Sequence, residues 1–267
     1  MVTTEAGQWQ QIGSISCPAT TLLGGLPIAN IGLEETAEQF VSIALEARDK
    51  SKAPFYSTSA NGQVIALAAK DEEFRSLLLR ADQIHADGMP MVLISRLVSK
   101  KALVERVATT DLVHAVAKKA QEAGASFYFL GASAEVNRLA VERMQNMYPG
   151  LKFAGASNGY FCSEQEEQAA VEEINRLKPD ILWVGMGVPA EHKFVTRNLQ
   201  NLRNVGVIKT SGGLFDFVSG KNSRAPAWMQ KIGLEWLYRI MLEPKRLAWR
   251  YLVTNPIALR ELLFNSR

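Results

Sequence analysis

The chain has few of the residues from which metal centres and disulfide scaffolds are built. Its 267 residues include two cysteines and three histidines. Cys17 and Cys162 form no CxxC pair, so the expectation is a pair of buried free thiols in a reducing compartment. His85, His114 and His192 lack HExxH or any comparable spacing, so each reads as a structural or surface histidine and no metal site is expected. No stretch approaches the ~18 consecutive apolar residues that a membrane-spanning helix needs. The opening segment MVTTEAGQWQQIGS has neither the basic region nor the apolar region of a secretory leader, and residues 1–20 read as a polar lead-in. Internal repeats and low-complexity tracts are also absent. A soluble or membrane-peripheral protein of the cytoplasm is the expectation.

Hydrophobic residues make up 47% of the chain, enough for a well-buried core, and charged residues make up 21% with a net charge of only +3. The charge is uneven. Residues 221–267 carry nine Lys or Arg against three Glu, a net +6, which leaves residues 1–220 at −3. A basic tail on a slightly acidic body implies an anionic partner such as a phosphate or a lipid surface. A nucleic-acid partner is not expected, because the excess is confined to one aromatic-rich tail.

Continuous apolar runs alternate with helical patterns through the body. Strands are predicted at Pro54–Asn61, Ser126–Leu130, Lys152–Ala156, Ile181–Val184 and Val205–Lys209. Helices are predicted at Val64–Arg80, Asp111–Ala123, from Ser133 to Tyr148, and at Glu164–Leu177. Strands separated by helices of this length imply βαβ units. The fold class is therefore α/β, a Rossmann-like and mostly parallel sheet flanked by helices. A catalytic core over 1–220 is expected to precede a basic helical appendage over 221–267. Within the appendage, helical periodicity puts Ile232, Leu234, Leu237, Tyr238 and Met241 on one face. Small and polar stretches follow the strands at Ser59–Asn61, Asp87-Gly88, Gly131–Ser133, Gly185–Pro189 and Ser211–Gly213. They converge on one sheet edge, where such folds bind ligands.

Taken alone, these residues leave the chemistry open. Gly131-Ala132-Ser133 is either a phosphate-binding helix start or an ordinary strand–helix turn. Asp87 is either a general base or a turn aspartate. Arg239, Arg246 and Arg250 are spaced to share a helical face; they could grip a diphosphate, lie along a membrane surface, or form a solvated basic face. No GxGxxG turn with a following acid points to a dinucleotide enzyme. GxSxG is absent, and so is any DxD pair of the kind that holds a divalent ion against a nucleotide sugar.

Several segments together resemble the WecG/TagA/CpsF family, glycosyltransferase family 26. They are Ala81–Val92 (ADQIHADGMPMV), Phe129–Phe161, Asp180–Pro189 (DILWVGMGVP) and Gly212–Arg250, whose GGLFDFVSG…RAPAWMQKIGLEWLYR…EPKRL run is long and specific. The likeness covers about residues 50 to 252. It implies inverting, metal-independent transfer of a hexose or N-acetylhexosamine from a UDP-sugar to a polyprenyl-diphosphate-linked sugar, as in bacterial exopolysaccharide, capsule or cell-wall polymer synthesis. It implies no cofactor and a peripheral location on the inner face of the cytoplasmic membrane, and it leaves a homo-oligomer open. The alternative is a non-catalytic UDP-sugar-binding partner of a polysaccharide synthesis complex.

Position by position, the resemblance makes Asp87 the catalytic base. Ser59 and Asn61, at the family's TxN motif, and Arg106 become substrate-binding residues. Tyr160 stacks on uracil, Asp216 contacts the nucleoside, and Gly131, Gly187, Glu191, Arg239, Arg246 and Arg250 complete the UDP site. Four positions depart from the pattern: Ser59 stands where threonine is usual, Thr109 where glycine is usual, and Glu191-His192 where Gln-Glu is usual. Lys209–Gly213 (KTSGG) and Thr254-Asn255-Pro256 are more similar to exopolysaccharide members than to the teichoic acid enzymes.

Overall fold

The structure is a computed structural model that describes residues 18–267; Cys17 and most of the lead-in lie outside the described residues. Strands β1 (Thr20–Leu23) and β2 (Leu26–Ala29) form an antiparallel hairpin. The two residues between them, Gly24 and Gly25, have φ of +55° and +75°, which a tight hairpin turn requires and glycine alone takes without strain. The hairpin and helix α1 (Leu33–Glu46) are not among the sequence expectations, although the Gly-Gly pair marks the first of them.

The βαβ units follow. They run β3 (Phe55–Ala60), α2 (Gly62–Lys70), α3 (Glu72–Leu78), β4 (Gln83–Ala86), α4 (Met89–Val98), α5 (Thr109–Ala123), β5 (Ser126–Gly131), α6 (Ala134–Met147), β6 (Lys152–Ser157), α7 (Glu164–Leu177), β7 (Ile181–Gly185), α8 (Ala190–Asn198) and β8 (Val207–Thr210). The eight strands form one sheet in the order β1-β2-β4-β3-β8-β7-β5-β6, parallel except for the hairpin. This is the expected α/β architecture. The predicted helix over 64–80 is two helices. Asp71 leaves the helical region at φ −128° and its carboxylate caps α3, accepting from the Phe74 N–H at 3.0 Å.

Each face of the sheet is covered. Helices α1 and α5 pack over Phe127, Phe129 and Trp183, which are fully buried. The opposite face buries Tyr56, Ile208, Leu182 and Leu130 beneath α2, α7 and α8. Burying an aliphatic or phenyl side chain of this size contributes about 1.5–3 kcal/mol each. At the amino ends of the strands Asp180 accepts from Arg48 Nε at 2.7 Å and from the Ser126 N–H at 2.7 Å. Burial opposes its ionisation, but these donors outweigh it and hold the carboxyl below the usual range.

The tail is helical, as expected: α9 (Leu214–Val218) leads into α10 (Ala227–Lys231), α11 (Glu235–Leu242) and α12 (Pro244–Phe264). Helix α12 packs along α2, and Arg267 N–H returns to the Leu22 carbonyl at 3.0 Å. The single apolar face expected over 232–241 is not formed. Ile232 and Leu234 fall in the turn between α10 and α11, around Gly233 at φ +79°, and Ile232, Leu237 and Met241 are exposed. Cys162 is exposed rather than buried. No helix among the described residues is long and apolar enough to cross a membrane.

Candidate active site

The carboxyl ends of β3, β4, β5, β7 and β8 open into one cavity of about 680 Å³, within the range of small-molecule sites. Helices α11 and α12 close it from above. The glycine- and polar-rich stretches therefore meet at the sheet edge as the sequence predicts. Ser59, Asn61, Asp87, Arg106, Tyr160, Gly187, Glu191, Asp216, Arg239, Arg246 and Arg250 all line this cavity.

Asp87 follows β4, half-buried, with one face on the cavity. Its Oδ1 accepts the Thr109 N–H at 2.9 Å, so the first residue of α5 aims the carboxylate. Burial pushes the carboxyl above its usual range, against the Thr109 N–H, Lys209 and Arg106. The Thr109 hydroxyl lies 3.1 Å from Ser59 Oγ, and Ser59 Oγ accepts from Lys209 Nζ at 2.7 Å. The threonine at the family's glycine position is thus a bridge between Asp87 and Ser59. Asn61 is the cap of α2, accepting from the Val64 N–H at 3.2 Å.

Arg106 lines the cavity with its guanidinium already paired. It donates to Glu235 at 2.9 Å, Asp111 at 3.0 Å and Gln230 at 3.2 Å. Arg224 donates to Asp111 at 2.8 Å, Gln230 at 2.6 Å and Glu235 at 3.2 Å. Two arginines, two carboxylates and one amide thus clasp the start of α5 to the tail. Only the charge asymmetry hints at this from sequence.

Gly131 does not itself face the cavity. A Cβ there would lie 2.2 Å from the Gly185 carbonyl oxygen, so this glycine serves the close approach of β5 to β7. Ala132 and Ser133 form the wall instead, with Ala132 left-handed at φ +55° and Ser133 capping α6 through the Val136 N–H. Glu191 is buried, and its carboxylate accepts from the Gly187 N–H at 3.0 Å and the Gly212 N–H at 2.9 Å. It ties together two loops whose glycines have φ of +79° and +57°. Burial pushes Glu191 up to about 7, the two amides and Lys209 pulling the other way. Its neighbour His192 faces away from the cavity edge, with Nε2 2.9 Å from Thr58 Oγ1, and burial pulls it down to about 3. His192 is therefore a neutral structural group, while His85 packs edge-on to Phe40 and His114 lies beside Tyr148.

Tyr160 stands at the rim, 72% exposed, so a flat ligand can stack on it. Asp216 accepts from Lys221 Nζ at 3.0 Å. The three tail arginines do not share one helix. Arg239 belongs to α11 and sits over the Phe217 ring at 5.3 Å, whereas Arg246 and Arg250 belong to α12, beyond the break at Pro244. They meet at the cavity because the chain turns there. Arg246 is held by Glu243 at 2.5 and 2.8 Å. Among the described residues no group of three or more His, Cys, Asp or Glu is gathered that could hold a metal. Lys209 and Lys221 were not anticipated. A lysine inside the apolar strand VIKT is the signal that could have found the first.

The model of the glycosyl transferase WecG/TagA/CpsF family matches residues 21–267. Among curated relatives, a Bacillus subtilis (strain 168) protein named N-acetylglucosaminyldiphosphoundecaprenol N-acetyl-beta-D-mannosaminyltransferase is 32% identical over 199 residues, 74% of this chain and 75% of the relative. A Bacillus spizizenii protein of the same name is 31% identical over 219 residues, 82% of each chain. A third of that name, from Staphylococcus aureus (strain MRSA252), is 29% identical over 193 residues, 72% of this chain and 74% of the relative.

Proposed function

The chain belongs to the WecG/TagA/CpsF glycosyltransferase family, and from that premise we propose that it moves a hexose or N-acetylhexosamine from a UDP-sugar onto a polyprenyl-diphosphate-linked sugar. That it is a glycosyltransferase rests on the family and on the relatives' names, and a role in cell-wall polymer synthesis is part of the proposal. The observation that carries the finer reading is the meeting of one aimed carboxylate, Asp87, with Arg239, Arg246 and Arg250 across a single cavity.

In this reading the uracil stacks on Tyr160 and the nucleoside reaches Asp216. The diphosphate lies between the amino end of α6 and the tail arginines, where amide dipoles and guanidinium groups both favour negative charge. Asp87 takes the proton from the acceptor hydroxyl as that oxygen attacks the anomeric carbon from the side opposite UDP. The C–O bond to UDP breaks with inversion. The charge gained by departing UDP is met by the arginines in place of a metal, a contribution worth on the order of 10²–10³ in rate per donor. Glu191 contributes by holding the Gly187 and Gly212 loops, and Ser59 and Arg106 by shaping the acceptor side.

The acceptor's lipid requires a membrane. Trp228, Trp249, Leu252 and Phe264 are each more than 60% exposed among the cations of α10–α12. Aromatic and basic side chains together suit a lipid interface. In this reading the tail docks on a membrane surface, taken with the family to be the inner face of the cytoplasmic membrane.

A panel of UDP-hexoses and UDP-N-acetylhexosamines, offered with an alkyl-diphosphate sugar acceptor and read by mass spectrometry, tests the reading. One donor should yield glycosylated acceptor and an equal amount of UDP, with or without EDTA. Donor binding without any transfer would make the chain a binding partner instead. Activity lost to EDTA and restored by Mg²⁺ would remove the arginines from the role of the metal.

A further inference from the structure

Lys209 is fully buried in a central strand, flanked by β3 and β7, where a lysine has no reason to be on grounds of packing. Taking an ammonium out of water is costly unless charge and hydrogen bonds compensate it. An ammonium has three protons to donate, yet among the described residues Lys209 makes one hydrogen bond, to Ser59 Oγ at 2.7 Å. Charge offsets part of that cost, although burial still outweighs it. The charges that act on it favourably are Asp87 and Glu191, two of the carboxylates that line the cavity. The titratable rings that also feel it, His85 and His192, are kept neutral by burial and by Lys209 itself.

From Lys209 a continuous path leads to the carboxylate. Nζ donates to Ser59 Oγ, Ser59 Oγ lies 3.1 Å from Thr109 Oγ1, and the Thr109 N–H donates to Asp87 Oδ1 at 2.9 Å. Register sets the first link: Ser57 pairs with Lys209 across β3 and β8, so Ser59, two residues on, presents its side chain to the same face of the sheet.

We propose that Lys209 is a positioning residue of the transfer reaction: its buried ammonium, acting through Ser59 and Thr109, holds the Asp87 carboxylate ionised and aimed into the cavity. The inference rests on the assignment of Asp87 as the base. A base must be ionised before the acceptor hydroxyl arrives, and burial works against that. The other charged groups acting on Asp87 are Arg106 and Arg224, which favour its ionised form, and Glu235, which opposes it. Both arginines are paired with Asp111 and Glu235 in the clasp, which leaves Lys209 as the cation without a carboxylate in hydrogen-bond contact. Burial pulls Lys209 itself down to about 7, so it carries its charge through the acidic range in which a carboxyl titrates.

The test needs no knowledge of the sugar. In protein labelled with ¹³C at aspartate side-chain carboxyls, the resonance missing from Asp87→Asn is that of Asp87. Its midpoint should rise by about one pH unit or more in Lys209→Met, the size expected when an opposite charge is removed. Lys209→Gln should do the same, with thermal unfolding and UDP affinity reporting that the fold is kept. A midpoint unmoved in the folded variants overturns the proposal. Should neither variant fold, Ser59→Ala breaks the path with the lysine in place. A rise of the Asp87 midpoint there supports the proposal, and an unmoved midpoint overturns it. The acid limb of the transfer rate should move with the carboxyl. Transfer that survives Asp87→Asn defeats the base assignment, and the proposal with it. Transfer abolished by Asp87→Asn, with the midpoint unmoved in Lys209→Met, defeats the lysine alone.

Discussion

Glu191 illustrates what a single side chain does in this site that its position in a motif does not disclose. As a carboxylate it accepts and cannot donate, and the groups it meets are two backbone amides of glycine loops. Glu191→Ala should leave both amides unmet and release both loops. The cost is about 1–3 kcal/mol, read as an about 5- to 150-fold weaker Kd for UDP in calorimetry. Asp180 is the comparable residue far from the cavity. Asp180→Asn replaces a charged acceptor with a neutral one beside Arg48 and Ser126, and should lower stability by about 2 kcal/mol in urea unfolding. The pH dependence has a definite sign. The folded pKa of Asp180 is depressed, so its contribution is present above the unfolded value of about 3.9 and is lost as pH falls through the folded one. Asp87 was legible as a candidate, a carboxylate beside a turn glycine at a strand end, a pattern that suits a turn or a base. Lys209 was not, because its significance lies in contacts with residues 59, 87 and 191 that only the sheet brings together.

At the scale of elements, the strands that point at the cavity were legible from their continuous apolar runs, and the helix break at Asp71 was not. A capping aspartate inside a helical pattern is a local competition that periodicity does not record. The tail is the larger difference. Seven- and four-residue spacing predicts one arginine face, whereas the chain breaks at Pro244 and gathers the arginines by folding back. What holds α10 and α11 over the cavity is the clasp of Arg106, Arg224, Asp111 and Glu235. Glu235→Gln should loosen that docking by about 1 kcal/mol. Amide exchange across residues 227–242 should then rise while exchange in β5 and β7 stays unchanged. Gly131→Ala should do the reverse. Its Cβ cannot be placed 2.2 Å from the Gly185 carbonyl without parting β5 from β7, so stability should fall by about 2–4 kcal/mol in thermal unfolding.

The whole molecule is a slightly acidic body with a strongly basic end, and the structure puts that end over the mouth of the cavity. An anionic membrane would therefore meet the tail first. Binding to phosphatidylglycerol vesicles should weaken steeply as salt rises from 50 to 500 mM, because surface charges are screened over about 10 Å at 0.1 M. A sedimentation assay that found no salt dependence would count against the tail as the docking surface. Fold class is legible in the alternation of strands and helices, and the cavity lies where such sheets bind ligands, at their carboxyl edge. The proposed reaction rests on the family, since spacing alone leaves Asp87 between a base and a turn. The most direct test of the account is the transfer rate of Asp87→Asn measured beside its affinity for UDP. The account predicts a rate lower by on the order of 10²–10⁴, with a UDP Kd within about twofold of the unaltered protein. Near-normal transfer with UDP binding intact would contradict it.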